Sequence, residues 1–412
     1  MKRLFTIWPF VYTNRCEDDV LYYNTISGDS AYFKNNSAIA NITEMLEQQD
    51  FFCTIDDNLV EELDKYNFFT ILMKKNMGYY RKESFPVKPV SWQNIDIYNT
   101  DIILNFKNDE YLLENLRDIT FYINNYADVP VYANLQTIHK AHKQFLFPVI
   151  ESSKSELSFD AIQSVLQKIA PNIVNINILG GNIFNHSQIK SLIDLFNQSL
   201  HNIYYHFHYT DLTSKMQQQF FSLIDEDAIK IILIDFPFTE NDFQKWKKII
   251  NKKNILIKFI VESDIQIIEA ENIISKFKLE DYHFQPFYNG KNLDFFRSNV
   301  FVSEEDILTV KESLFSLMTK KISNPSFFGK LIVNACGEIY TTINQPMVGH
   351  LIDLSLEKII YKLITDEYSV WRKNKCLVTP CNKCIYNLLC PPISNYEYAL
   401  EQCNLCHVKC SK

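Results

Sequence analysis

The spacing of apolar residues changes twice along the chain. Residues 5–12 and 20–25 form two extended apolar stretches ahead of a turn at Ser27-Gly28, where Asn24 and Gly28 suit tight backbone geometry. Ile39, Ile42 and Leu46 then recur at helical intervals and predict a helix over 37–48 with Ser37 as its N-cap. A short strand at 51–55 and helices at 58–66 and 68–75 complete a small α+β, winged-helix-like unit over residues 1–90. A polar stretch marked by Pro86, Pro89 and Asp96 reads as its boundary.

Beyond that boundary, apolar strand candidates at 102–106, 129–133, 173–179, 203–209, 229–234, 255–261 and 282–287 alternate with amphipathic stretches. The clearest of these predict helices at 186–200, 213–224, 239–250 and 264–277. Repeated strand–helix units imply parallel strands joined by right-handed crossovers, hence an α/β sheet or partial (β/α) barrel over residues 91–300. Runs such as IKIILID are apolar at successive positions, as expected for strands covered on both faces. Residues 301–328 read as a link containing one helix at 303–320, and residues 329–412 as a separate cysteine-bearing domain.

Composition narrows the reading. A chain of 412 residues is long enough for two or three domains of ~100–200 residues each. With 47% hydrophobic and 22% charged residues it can bury cores. Lys and Arg total 41 against 49 Asp and Glu, a net charge of -8, so no basic excess is available for nucleic acid. The first apolar run is broken by Pro9 and has no small-residue cleavage site, and no run reaches the ~18 residues of a spanning helix. The expectation is a cytoplasmic protein with no membrane insertion. Glycine is scarce, 8 of 412 residues against about 7% in an average protein, so the Gly180-Gly181 pair stands out.

The cysteines are clustered. None lies between Cys53 and Cys336, whereas CNKCIYNLLC supplies Cys381, Cys384 and Cys390, and CNLCHVKC supplies Cys403, Cys406 and Cys410. A CxxC turn brings two sulfurs to one metal, Cys390 can return as a third ligand, and the downstream set offers a fourth. Four thiolates suit an iron–sulfur cluster or structural Zn, and the spacing does not choose between them. The plain alternative is a group of unligated thiols.

The segments GEIYTTI, GHLIDLSLEKIIYK and CNKCIYNLLCPPISNYEYALEQCNLC resemble the SPASM domain that follows radical-SAM enzymes of peptide maturation. The resemblance implies one auxiliary 4Fe-4S cluster on Cys381, Cys384, Cys390 and Cys406, with Cys403 as the alternative fourth ligand and Zn as the alternative metal. A second auxiliary cluster of that family has lapsed here, because Thr342 and Ser394 stand at two of its cysteine positions. The CxxxCxxC loop that carries the radical chemistry after the first barrel strand is absent. The histidines of HKAH, His139 and His142, read as an exposed helical pair rather than its replacement.

In NINILGGNIF, the residues Gly180, Gly181 and Asn182 resemble the remnant of a Gly-Gly-Glu-Pro step whose glycines admit the amino group of S-adenosylmethionine (SAM). Asn182 and Ile183 replace the acid and the proline, so SAM binding is not expected. The plain reading of the pair is a strand–helix turn with positive φ. Together with VLYYNTISGDS, these features resemble the pseudo-radical-SAM family that accompanies double-glycine-leader, bacteriocin-like peptides. That likeness implies a non-catalytic accessory protein whose partners are a double-glycine-leader precursor and an intact radical-SAM/SPASM maturase. The N-terminal unit resembles elements that bind leader peptides by adding a strand to a sheet edge, and a purely structural cap on the barrel is the alternative. His206 and His208 share one face of a strand and read as core or pocket histidines; a metal site or a repurposed enzyme pocket is the alternative. There is no Walker loop, GxSxG or GxGxxG motif.

Overall fold

The structure is a computed structural model that describes residues 3–48, 52–81, 109–126, 135–169, 174–212, 214–239, 241–244, 253–352 and 355–408. The expected strands at 102–106 and 129–133, the boundary at Pro86–Asp96, most of the helix expected at 239–250, and Cys410 lie outside the described residues.

The N-terminal unit comprises β1 (Arg3–Ile7), β2 (Val11–Arg15), β3 (Asp19–Asn24), β4 (Ser30–Lys34), α1 (Ser37–Gln48), β5 (Phe52–Ile55), α2 (Asp57–Asp64), α3 (Phe68–Lys74) and β6 (Gly78–Arg81). The apolar stretch at 5–12 is two strands, not one. The chain turns at Pro9-Phe10, and β1 and β2 enter different antiparallel sheets, β5-β1-β6 and β2-β3-β4. Phe5, Ile7, Tyr22, Phe33, Ile39, Ile42, Leu46, Phe68 and Phe69 form the shared core. Asn36, one residue earlier than expected, caps α1 through Oδ1, which accepts from the Ile39 amide at 3.0 Å. Gly78 is fixed by close approach: a Cβ there would stand 2.5 Å from the Phe5 ring.

The body is a nine-stranded sheet in the order β12-β11-β10-β9-β8-β7-β13-β14-β15. Its first six strands in sequence, β7 (Asp118–Tyr122), β8 (Asn175–Leu179), β9 (Asn202–His208), β10 (Ile229–Ile234), β11 (Ile255–Val261) and β12 (Tyr282–Pro286), run parallel. Crossover segments carry α4 (Leu135–His142), α5 (Phe159–Ile169), α6 (Ile189–Asn197), α7 (Lys215–Leu223) and α8 (Asp264–Phe277). β7 is the strand that periodicity missed, being short and bearing polar Asp118 and Thr120 beside Ile119 and Phe121. On one sheet face Phe121, Ile178, Tyr205, Phe207, Ile232 and Phe259 pack beneath the helices. Tyr204, Ile231, Leu233 and Ile260 pack on the other face with α4 and the 145–150 loop.

After α9 (Leu293–Asn299) the expected single linking helix is two, α10 (Glu304–Thr309) and α11 (Leu314–Ile322). Ser303 and Ser313 cap them separately, and the Tyr23 hydroxyl accepts from the Glu312 amide at 2.9 Å within the break. The tail then rejoins the sheet. β13 (Lys330–Val333) pairs parallel with β7, and β14 (Glu338–Tyr340) and β15 (Gly349–His350) extend it antiparallel. Helices α12 (Leu356–Thr365) and α13 (Asn395–Ala399) flank the cysteine segment. Among the described residues no helix is long and apolar enough to cross a membrane.

Candidate functional site

The cysteine segment is organised by short turns. Asn374 Oδ1 accepts from the Cys376 amide at 2.9 Å and caps a 3-10 turn over Lys375–Leu377. A second 3-10 turn, Cys381–Lys383, closes with the Cys384 amide donating to the Cys381 carbonyl at 3.0 Å, so the CxxC step is a tight knuckle. The Cys390 amide donates to the Tyr386 carbonyl at 2.8 Å and brings the third thiol back. Cys381, Cys384 and Cys390 are buried and free of disulfides. Cys406 is half-buried and pinned by a bridge to Val302, while Cys403 is exposed.

Burial pushes the Cys390 thiol up to about 12. Lys375 and Lys320 pull it down, and the neighbouring Cys406 and Cys381 push it further up. Cys381, Cys390 and Cys406 therefore lie within one electrostatic neighbourhood. Among the described residues no three His, Cys, Asp or Glu side chains stand close enough to hold a single metal ion. The segment holds three buried thiols, and Lys320 Nζ donates to the Cys390 carbonyl at 3.0 Å.

The knuckle is also a docking point. Asn14 Nδ2, on β2, donates to the Ile385 carbonyl at 2.7 Å and to Asn387 Oδ1 at 3.2 Å. Leu21 and Tyr23 pack with Ile307, Leu317 and the 384–390 segment in one apolar cluster. A groove of about 550 Å³ remains beside it, lined by Cys16, Tyr32, Glu304, Lys383, Cys384 and His407 among others.

Where the resemblance places a second thiolate set, the structure has a polar network. Thr342 Oγ1 donates to Asn395 Oδ1 at 2.6 Å. Asn344 Nδ2 donates to the same oxygen at 3.2 Å and to the Lys143 carbonyl at 2.7 Å. Ser394 caps α13, its hydroxyl donating to Glu397 Oε2 at 2.6 Å. Thr342 and Asn395 are brought together in space although 53 positions separate them in the chain.

At the C-terminal end of β8, Gly180 and Gly181 do not take the left-handed conformation, which belongs to Gly28, Gly290, Gly329 and Gly337. The pair is required by close approach instead. A Cβ on Gly180 would lie 2.1 Å from Asn124 Oδ1, and one on Gly181 would lie 2.4 Å from the Tyr126 carbonyl oxygen. The Gly181 amide donates to Asn124 Oδ1 at 2.9 Å, Asn124 Nδ2 donates to the Asn182 carbonyl at 2.7 Å, and the Asn182 amide donates to the Tyr126 carbonyl at 2.9 Å. The segment following β7 therefore fills the turn that follows β8. Nothing in the sequence marked Asn124 for this role; it stands out only against the glycines in space.

The histidines fall differently from expectation. His142 is not an exposed member of a pair: Tyr122 OH and its Nδ1 are hydrogen-bonded at 3.1 Å, and burial pushes its pKa down to about 3. With His139, Glu151, Asn125, Asn334 and Tyr340 it lines a cavity of about 210 Å³ beside the ends of β7 and β13. His206 and His208 are buried on one sheet face, as alternation predicts, and their nitrogens are largely used. His206 Nε2 donates to Asn177 Oδ1 at 3.0 Å, and His208 bonds Asp235 at 2.9 Å through Nε2 and Thr210 at 2.6 Å through Nδ1.

No protein-family profile matches the chain, and no curated protein does. Among solved structures it is similar to SuiB of Streptococcus suis bound to precursor peptide SuiA, with a TM-score of 0.48, 13% identity and 94% of each chain covered. SuiB bound to S-adenosylmethionine gives a TM-score of 0.45 at 13% identity and 94% coverage of each chain. SuiB alone gives 0.45 at 11% identity and 89% coverage of each.

Proposed function

We propose that this protein is a catalytically inert scaffold of radical-SAM descent that serves in maturing a ribosomally made peptide. It binds a double-glycine-leader precursor, an intact radical-SAM/SPASM maturase, or both. One 4Fe-4S cluster is held by Cys381, Cys384, Cys390 and Cys406. Cys406 is preferred over Cys403 because it is half-buried and acts on the Cys390 thiol, whereas Cys403 is exposed. When bound, such a cluster cross-links the tail and supplies a one-electron couple.

The observation that carries the inert reading is the packing of Asn124 into Gly180-Gly181-Asn182, in a sheet region with no cysteine from Cys53 to Cys336. An ammonium donor at that turn would compete with the Asn124 amide for the Asn182 carbonyl, and it would meet no carboxylate at position 182. The knuckle's role is to seat β2 and β3 of the N-terminal unit, whose sheets offer edges for an extended peptide. The test is anaerobic incubation of the iron-loaded chain with SAM and a low-potential reductant. No 5′-deoxyadenosine above the no-enzyme level is expected; multiple turnovers would end the inert reading.

A further inference from the structure

We propose that the cavity beyond the ends of β7 and β13 is a binding site for a small primary amine, with the ammonium on Glu151 and the apolar body against Ile138, Val149 and Ile343. The two strands run parallel. Tyr122 closes β7, and Asn334 and Ala335 follow β13, so the cavity lies outside carboxyl ends, where open α/β sheets present side chains and loops to ligands. Tyr122, Asn125, Ile138 and Ala335 are buried and form its floor, while His139 and Glu151 are exposed and form its mouth. None of its lining residues belongs to the cysteine segment, and the site asks for no metal.

Charge selects the occupant. Asn125 is wholly committed: Nδ2 donates to Glu151 Oε2 at 2.6 Å and to the Ser153 carbonyl at 2.9 Å, and Oδ1 accepts from the Ser155 amide at 2.8 Å. The Glu151 amide in turn donates to the Asn125 carbonyl at 2.9 Å. The carboxylate is thus held by one oxygen, while Oε1 has no hydrogen-bond or ion-pair partner among the described residues, and the His139 ring has no hydrogen-bond partner there either. A second carboxylate is close. Glu338 Oε2 accepts from the Tyr340 hydroxyl at 2.7 Å, and burial, Glu338 and Glu151 together push the Tyr340 pKa up to about 12. No lysine or arginine is among the described lining residues, and Lys140 is turned to the Asn289 carbonyl at 2.8 Å. Burial, with His139 and Lys143, keeps the lining His142 neutral, with a pKa of about 3. An ammonium therefore finds an oriented, unpaired carboxylate, and an anion finds no counter-charge. Size narrows the class further. The volume of about 210 Å³ exceeds the ~150 Å³ that holds benzene and falls short of the ~300 Å³ at which drug-sized pockets begin. A ring with a short arm and an ammonium group fits, and a nucleoside does not. Tyr122, His142 and Tyr340 supply an aromatic wall that suits both a ring and a cation.

The experiment is calorimetric titration of the full chain with phenethylamine at neutral pH, with phenethyl alcohol as the uncharged isostere. Saturable binding of the amine to the wild type is expected, and the alcohol should bind about tenfold more weakly. Glu151→Gln can keep the bond from Asn125 and is expected to weaken the amine about tenfold while leaving the alcohol unchanged, which separates lost charge from lost shape. Ala335→Met fills the floor and is expected to weaken both ligands. Should Ala335→Met fail to fold, Glu151→Gln at the exposed mouth carries the test. The assignment is overturned by an amine that does not saturate up to about 10 mM, or by an alcohol that binds as tightly as the amine. It is overturned equally by Glu151→Gln within about threefold of the wild type, or by a folded Ala335→Met that binds the amine unchanged. Displacement of the amine by SAM overturns it as well, because the cavity would then belong to a nucleoside ligand.

Discussion

The knuckle at 381–390 and the polar network at 342–344 and 394–395 lie in the same C-terminal segment, and their side chains are partnered differently. In the first, three thiols are buried, and Lys320 Nζ donates to the Cys390 carbonyl at 3.0 Å. In the second, a hydroxyl and two amides satisfy one another and a backbone carbonyl. The turn at Gly180-Gly181 follows the second pattern, since Asn124 uses the amide and carbonyl that the glycines expose. The lesson concerns buried polar atoms. Polar side chains packed inside a fold must pair, because an unsatisfied buried group costs about 1–3 kcal/mol. Under the proposed function, the buried thiols of the knuckle are kept for a ligand.

The contrast can be broken most forcefully at the knuckle. Cys384→Ala is expected to abolish iron binding and to open the tail to proteolysis, since structural metal contributes roughly 10 kcal/mol or more to folding. Cys403→Ala is expected to keep full iron content; loss of iron there would move the fourth ligand from Cys406 to Cys403. At the turn, Gly181→Ala forces a Cβ against the Tyr126 backbone and is expected to destabilise the chain by about 1–3 kcal/mol in urea unfolding. Iron content should not change, and an unaltered unfolding midpoint would mean that the turn is not packed as described.

Acid separates the regions further. Burial holds His206 near a pKa of about 3, well below its unfolded value of about 6.5, so the unfolded chain binds the extra proton between those limits. Stability from this group is complete above pH 6.5 and declines as pH falls toward 3, by about 1.4 kcal/mol per pH unit. His206→Gln should flatten that slope between pH 6 and pH 4, and an unchanged slope would place the proton elsewhere. The smallest effect is expected at the junction. Asn14→Ala removes hydrogen bonds to the knuckle worth about 1 kcal/mol. Amide exchange should rise in β2 while the β1 core stays protected.

Local pattern revealed what depends on neighbours along the chain. IKIILID and ILIKFIV are apolar at nearly every position because helices cover one face and other side chains the second, so β10 and β11 lie where expected. The spacing of Cys381, Cys384 and Cys390 forced a tight turn whatever surrounds it, and the turn is present. Helix α1 falls on its predicted span because Ile39, Ile42 and Leu46 face one core.

Other features were settled only when distant segments met. β7 is too short and too polar to declare itself, and β13 joins its edge from more than 200 residues away. The glycine pair was legible as unusual, but the reason was not. It is a collision with Asn124 and Tyr126 rather than a demand of backbone conformation. Lys320 and Lys375 carry no motif, and the burial of each against a carboxylate, Glu312 and Glu397, is a property of packing. Periodicity and spacing are written in contiguous residues and survive without the fold. A close approach, a pairing of buried charges or a borrowed strand exists only between surfaces that the folded chain has brought together.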